Sequence, residues 1–531
     1  MRTTLATVAT LGLLASVGAC WDDSRPIGWT RSRTILGPIP LKTQVAYVDS
    51  ALDRVTLLDL ANDIPTITAI SIGRNAEYVV PSPDRHRLFV ITRGEEAIHA
   101  GEIDQAPLMW VIDPQHPDAT PSAYAIGSPF DRVAVSPDNA TAIAYFSAAG
   151  PDASGFFRNP NELAVVDLTK PPSDTNPVLK TIRSFGSVPA GIALSPPMVV
   201  PGTTDPAPRT FAFILADNNL TVLDAAHPDK DEVSIRLDIG GTAVTPRQVV
   251  FAPNTASAYV RSDNARDILQ VILVAAEPHG TSSDFRPQLA ELGAGGGPTD
   301  IAVYDDPRGH RYLLAATPNT REIVVIEADT AQFRSVPLAD PIDRIVLFPS
   351  GEGVVPTMAL LASIGAKAKQ MHVLDLAHIE DPLTPAKLDL ISLDQPIKDV
   401  IPVPGRDLAM IVHDDARTVL GLLDMDTQST SPLLGVGKLD SYDFSPDGSH
   451  LIGATNGVAR LGFVALDNLH PTDFRLDDAP VHVLSTQNMK IFVDHGDPLG
   501  HATIIPSPTA TRDQALVLEG FLTADLLDKE P

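Results

Sequence analysis

Cysteine is almost missing from this 531-residue sequence: Cys20 is the single one. Beyond it no disulfide can form and no thiol is left for catalysis or for metal binding, so a large number of packed elements must stabilise the chain instead. Aromatic residues are scarce at 5%. Only three tryptophans occur, Trp21, Trp29 and Trp110, so no repeated motif is built on tryptophan. Basic residues are also few, 39 Lys and Arg against 66 Asp and Glu, for a formal charge of −27. Such a surface repels nucleic acid and anionic head groups and favours cationic partners or divalent ions. After the first twenty residues no apolar run is long enough to span a bilayer. Several catalytic signatures are missing as well. There is no Gly-x-Ser-x-Gly elbow, no His-x-x-x-His pair and no EF-hand loop. The glycine-rich 293–298 stretch fits neither the Rossmann nor the Walker spacing and reads as a link between repeats.

What the chain has in quantity is turn chemistry, with 48 Pro and 35 Gly, and a hydrophobic content of 44% that is ample for a core. The pattern is clearest after Phe130. The apolar run Val133-Ala134-Val135 enters Ser136-Pro137-Asp138-Asn139, and a second run and then Val165-Val166-Asp167 follow. Pro137 presets φ for a type I turn, Ser136 can bond back into it, and Asp138 and Asn139 suit the remaining positions. Short Val-, Ile- and Ala-rich runs between such turns read as strands of an antiparallel meander.

The unit recurs. Its third-strand signature returns as Leu57-Leu58-Asp59, Val111-Ile112-Asp113, Val222-Leu223-Asp224, Val325-Ile326-Glu327, Val373-Leu374-Asp375, Leu422-Leu423-Asp424 and Ala465-Leu466-Asp467. A degenerate copy lies at 271–274, and a weaker last one begins near Val481. The first-strand signature keeps phase, as in Val79-Val80-Pro81-Ser82-Pro83-Asp84 and Phe444-Ser445-Pro446-Asp447-Gly448. The spacing is roughly 50 residues, near a propeller blade. These residues resemble the YVTN-type β-propeller family, whose repeats carry a Ser-Pro-Asp-Gly turn and a Val-x-Val-Ile-Asp strand. The expected fold is therefore all-β, a propeller of four-stranded antiparallel blades with about 7–10 repeats, in one ring rather than two. The resemblance also implies an alternative function, because some lactonase-like propellers open cyclic esters.

Arg2, an apolar stretch and Val17-Gly18-Ala19-Cys20 resemble a bacterial lipoprotein signal. The expected organisation is a signal peptide over 1–19, a lipidated tether over 20–43 starting at Cys20, the propeller over 44–521 and a polar tail over 522–531. Trp21 in place of an acidic residue leans toward the outer membrane. The expectation is a cell-envelope lipoprotein that binds a protein or ligand without catalysis and has an envelope protein as its partner.

Candidate site residues stand just ahead of, or at the start of, successive first strands: Glu77, Asp131, Arg132, Arg247, Asp300, Asp343, Arg344, Asp399 and Asp440. If they converge on one mouth, their carboxylates can hold a hard divalent cation through oxygen ligands or accept a basic peptide. Asp131, Arg132, Asp343 and Arg344 are the nominees for the hydrolase alternative. The recurring third-strand acids read as structural. His413 and His495 follow second strands and read as loop histidines.

Overall fold

The structure is a computed structural model that describes residues 33–95, 104–147, 159–183, 188–203, 205–239, 242–349, 355–365, 368–379, 387–414, 420–433 and 439–523. Cys20 and the signal-like segment lie outside the described residues, as does the tail from 524. Ten four-stranded sheets follow one another along the chain, each an antiparallel meander whose strands are consecutive. They occupy 35–71, 76–125, 132–181, 189–236, 245–292, 300–337, 344–392, 397–433, 441–475 and 482–519, numbered here as blades 1 to 10. Asp238–Ile239 and Thr242–Ala243 add a two-stranded hairpin between blades 4 and 5. Among the described residues the helical turns are two short 3-10 segments, Arg512–Gln514 and Phe521–Thr523.

Side-chain alternation explains how ten sheets make one body. Successive residues of a strand point to opposite faces, so each blade offers two apolar faces. In blade 2, Leu88 and Val90 pack toward blade 1, while Phe89 and Ile91 pack toward blade 3. Ten separate hydrophobic clusters result, each shared by two neighbouring blades. The tenth joins Val45, Tyr47 and Leu58 of blade 1 to Phe492, Ala502 and Ile504 of blade 10, which closes a single ring. Within a blade, second strands such as Phe211–Ala216 are wholly buried, first strands such as Ala76–Pro81 are mostly half-buried along the central channel, and fourth strands such as Thr66–Ser71 face outward.

The turn chemistry is as the sequence implies. Ser136 Oγ donates to Asp138 Oδ1 at 2.5 Å and accepts the Thr141 amide at 2.9 Å, and Asn139 takes φ 56°. Ser82 and Ser445 repeat this, with Arg85 and Gly448 in the left-handed position. The third-strand acids are turn caps: Asp59, Asp113, Asp167, Asp224 and Asp375 each accept the amide two residues on.

Two boundaries and one strand signature differ from the expectation. Ile35–Pro40, inside the stretch read as tether, is the first strand of blade 1, paired with Gln44–Asp49. Its prolines are tolerated because this is an edge strand with a register shift between Leu36 and Ile39. At the other end Leu522, read as the first residue of a polar tail, is 3% exposed and packs in the closing cluster with Phe521. The third strand of blade 10, His501–Ile505, ends without the acidic signature.

Candidate ligand-binding mouth

In an antiparallel meander the starts of first strands and the ends of second strands lie at the same end. The nominated residues therefore share one face of the ring, but they are spread over blades 2, 3, 5, 6, 7, 8 and 9. Asp131 and Asp343, nominated together, stand on blades 3 and 7 with three blades between them.

Most of these carboxylates are already engaged. Asp131 is 3% exposed, and its Oδ1 accepts the Ser147 amide at 2.8 Å. Asp343 accepts the amides of Ile364 and Gly365 at 2.8 and 2.6 Å, and Asp440 that of Asn456 at 2.9 Å. In all three the acid's own amide donates to the last carbonyl of the second strand, those of Tyr145, Ala362 and Ala454. This repeated device caps the turn that leaves the second strand, and a charged acceptor there satisfies amides the ladder leaves open. Asp399 accepts the amide of Val400 at 2.9 Å, and Glu77 pairs with Arg93 at 3.1 Å. Arg132 donates to the Asp131 carbonyl and lies 5.2 Å over the Tyr78 ring. Arg344 is exposed and pairs with no acid among the described residues.

Asp300 serves a different purpose. Its Oδ2 accepts the Ile345 amide of blade 7 at 2.8 Å, and Asp443 likewise accepts the Ser485 amide of blade 10 at 2.7 Å. These bonds cover the open edge of the neighbour's first strand, which would otherwise present unpaired amides to the channel. Burial pushes the Asp443 carboxyl above the usual carboxylate range.

One place on the mouth brings nominated residues together. Arg247 Nε contacts Asp263 Oδ2 at 2.6 Å, and Arg261 Nη1 reaches the same carboxylate at 3.3 Å. Arg261 Nε donates to Gln248 Oε1 at 3.1 Å, and Gln248 Nε2 donates to Asp300 Oδ1 at 2.9 Å. The hydrogen bond and charge of Arg247 hold Asp263 below the ordinary carboxylate range. Arg261 and Asp263 of this network line a pocket of about 770 Å³ between blades 5 and 6, together with Arg266, Ser262 and the 295–297 glycines. Arg266 is exposed and pairs with no acid among the described residues. Ser262 is 2% exposed, and its hydroxyl has no partner among the described residues. Gly296 is required by space: a Cβ there would lie 2.6 Å from Thr320 Oγ1 and 2.7 Å from Thr317 Cβ.

In a chain with so few basic residues, this pocket has Arg261 and Arg266 on its wall, and its one carboxylate, Asp263, is already paired with Arg261 and with Arg247. It suits an acidic group, whereas the expectation from the sequence was a divalent cation or a basic peptide. Among the described residues no group of three or more His, Cys, Asp or Glu is placed to hold a metal ion. Sequence reasoning named Arg247 and Asp300 but missed Arg261 and Arg266. The signal was a pair of arginines, one inside the second strand of blade 5, Ser257–Asp263, and one just after it, in a blade next to the glycine-rich link.

No protein-family model matches the chain, and no curated protein matches it in sequence. Among solved structures it is similar to dihydro-heme d1 dehydrogenase NirN in complex with DHE, at 16% identity and a TM-score of 0.41, over 85% of this chain and 77% of that one. At that level nothing about the ligand or activity of NirN transfers to this chain.

The two histidines singled out in the sequence are not exposed loop residues. His413 ends the second strand of blade 8 and is 8% exposed. His495 is half-buried. Its Nδ1 faces the Ala479 carbonyl at 3.1 Å, its Nε2 faces Thr503 Oγ1 at 2.9 Å, and its ring stacks on His501 at 4.3 Å. Such contacts suit a neutral imidazole, and burial holds its pKa below 6.5.

Proposed function

We propose that this propeller is a non-enzymatic binding protein of the bacterial cell envelope, tethered to the outer membrane through acylated Cys20. It uses the mouth between blades 5 and 6 to hold an acidic group of its ligand or protein partner. The observation that carries this reading is Arg266, an unpaired guanidinium on the wall of a polar pocket whose one carboxylate is already committed to Arg247 and Arg261. Arginine presents a planar fork suited to carboxylate or phosphate oxygens. The lipoprotein anchor is supported by the Val17-Gly18-Ala19-Cys20 motif and by Cys20 being the single cysteine. Nothing in the geometry favours the lactonase alternative, since its four nominees are divided between blades 3 and 7.

The test is a mild-detergent pull-down of the tagged, acylated protein from native membranes, run beside Arg266→Glu and Cys20→Ala. Co-purifying proteins and small molecules are identified by mass spectrometry. A stoichiometric species recovered with the wild type, reduced at least tenfold by Arg266→Glu and weakened by Cys20→Ala, is the expected result. A species that Arg266→Glu retains in full removes the mouth pocket from the reading, and fractionation of Cys20→Ala with the membranes removes the anchor.

A further inference from the structure

The seam that closes the ring, between blades 10 and 1, carries a titratable pair at its edge. Asp494 ends the second strand of blade 10 and His501 begins the third, and the turn between them lies on the mouth face. The His495 amide donates to the His501 carbonyl at 3.1 Å, and the two imidazoles stack with ring centres 4.3 Å apart. The same turn grips the residues that plug the seam. The Leu522 amide donates to the Leu499 carbonyl at 3.0 Å, and the Gly520 amide to the Gly500 carbonyl at 2.7 Å. Arg33, two residues ahead of the first strand of blade 1, donates to the carbonyls of both Pro498 and Leu522 and pairs with Asp49 at 2.6 Å. A Cβ on Gly500 would lie 2.7 Å from the Leu522 nitrogen, so turn and plug touch without slack. Movement of the turn therefore moves the plug.

The groups facing the pair decide what a proton does there. Asp478, in the loop before blade 10, lies 3.6 Å from His501 Nδ1 and supports a first proton on that ring. His495 has the Ala479 carbonyl and the Thr503 hydroxyl on its nitrogens, and among the described residues no carboxylate pairs with it. Asp494 is buried with its Oδ1 on the Gly496 amide, and burial raises its carboxyl above the ordinary range, which weakens it as a counter-charge in acid. Asp497 is turned to the Leu499 amide, and His482, across the ladder from Asp494, is exposed. From blade 1, burial pushes the Tyr47 phenol up, so it stays neutral. A second proton, on His495, sets two cations face to face in a half-buried turn, where repulsion and desolvation both oppose it. We infer that the stacked pair His495–His501 is an acid-sensitive latch on the seam. Protonation of both rings parts the turn, withdraws Leu499 and Gly500 from the plug and opens the ring between blades 10 and 1. The closed seam binds fewer protons than the open one, so it loosens as pH falls below the ordinary histidine value and closes again at neutral pH.

The test is hydrogen exchange by mass spectrometry on the full chain at about pH 7.5 and about pH 5.5, with rates corrected for the intrinsic pH dependence of exchange. In the wild type, peptides covering 491–505 and 44–59 should lose protection by about tenfold or more on acidification, since each pKa unit of difference is worth tenfold. Peptides covering 311–327 should keep theirs. His501→Gln removes the facing charge and His495→Gln the unsupported one, so in either variant acid should open the seam no further than neutral pH does. The two substitutions fall on different rings, so a variant that disturbs the turn at neutral pH leaves the other, and the wild type, to decide. Acid loss that persists undiminished in both variants, equal loss over 311–327, or no loss at the wild-type seam would each overturn the inference.

Discussion

Replacing Phe521 by alanine tests whether the ring is held shut by Phe521 and Leu522. Blade 1 is built wholly from the start of the described chain and blade 10 wholly from its end, so no strand crosses the closing seam. What holds it is packing and a few long-range bonds. The Phe521 ring sits edge-on to Tyr47 at 5.5 Å, and Tyr47 also meets Phe492 at 6.2 Å. The Leu522 carbonyl accepts from Arg33 and Arg54, Asn488 Nδ2 donates to the Leu60 carbonyl, and the Gln487 amide donates to that of Lys42. Phe521 is 2% exposed, so Phe521→Ala removes roughly 3–5 kcal/mol. Bringing together the ends of a flexible chain of this length costs on the order of 5 kcal/mol, and less once curved blades have formed. The two magnitudes are similar, so the substitution acts on closure and leaves the other nine seams intact. Hydrogen exchange by mass spectrometry is the assay. Peptides covering 44–59 and 491–505 should lose protection by two or more orders of magnitude, while those covering 311–327 should be unchanged. Uniform loss across all blades, or a change below about 0.5 kcal/mol at the seam, would refute the idea that closure rests on these residues.

Other predictions follow from single contacts. Asp343→Ala strips charged acceptors from two amides and should cost about 2–3 kcal/mol in thermal unfolding, with Asp343→Asn costing less because it keeps one acceptor. Gly448→Ala should cost about 2–4 kcal/mol, since φ is +65° and the new Cβ would lie 2.4 Å from the Pro404 carbonyl oxygen. Gly296→Ala should reduce ligand capture at the mouth and also lower the melting temperature, because the new Cβ would lie 2.6 Å from Thr320 Oγ1 at the pocket and 2.7 Å from the Cβ of fully buried Thr317. On acidification the unfolded chain protonates His495 first, since burial holds the folded value below 6.5. Stability should therefore fall as pH drops from 6.5 toward the folded value, and His495→Gln should flatten that part of a melting-temperature profile.

Much of the fold was legible because its punctuation is local. A Ser-Pro-Asp turn needs only adjacent residues, and the third-strand acid caps an amide two positions away, so both leave a compact mark in every blade. The first strand of blade 1 escaped because Gly37, Pro38 and Pro40 have the composition of a linker, and only its place as an edge strand makes them acceptable. His501–Ile505 escaped because its turn uses no acid. The mouth was harder to read, since an aspartate before a first strand looks like a ligand until its amide partner is known. That partner is 16 residues on for Asp131 and Asp440, and the two partners of Asp343 are 21 and 22 residues on. The recurrence of 16 was present in the sequence, but its meaning depends on where the second strand ends. The ion pairs of Arg209 could not be anticipated, because Asp224 and Asp284 come from different blades.

The seam without a shared strand has a consequence for how copies of this chain meet during folding. Each blade is a continuous piece of chain with local contacts and can form early. The join between blades 1 and 10 forms last, and until then one end presents Val45, Tyr47 and Leu58 while the other presents Phe492 and Ile504. Those two surfaces fit each other but are not alike, so an open chain can dock its tail on the head of the next. Such head-to-tail contacts propagate as filaments unless rotation closes them. Intramolecular closure therefore competes with polymerisation, and the outcome depends on concentration: a crowded solution favours fibres, and dilute refolding favours rings.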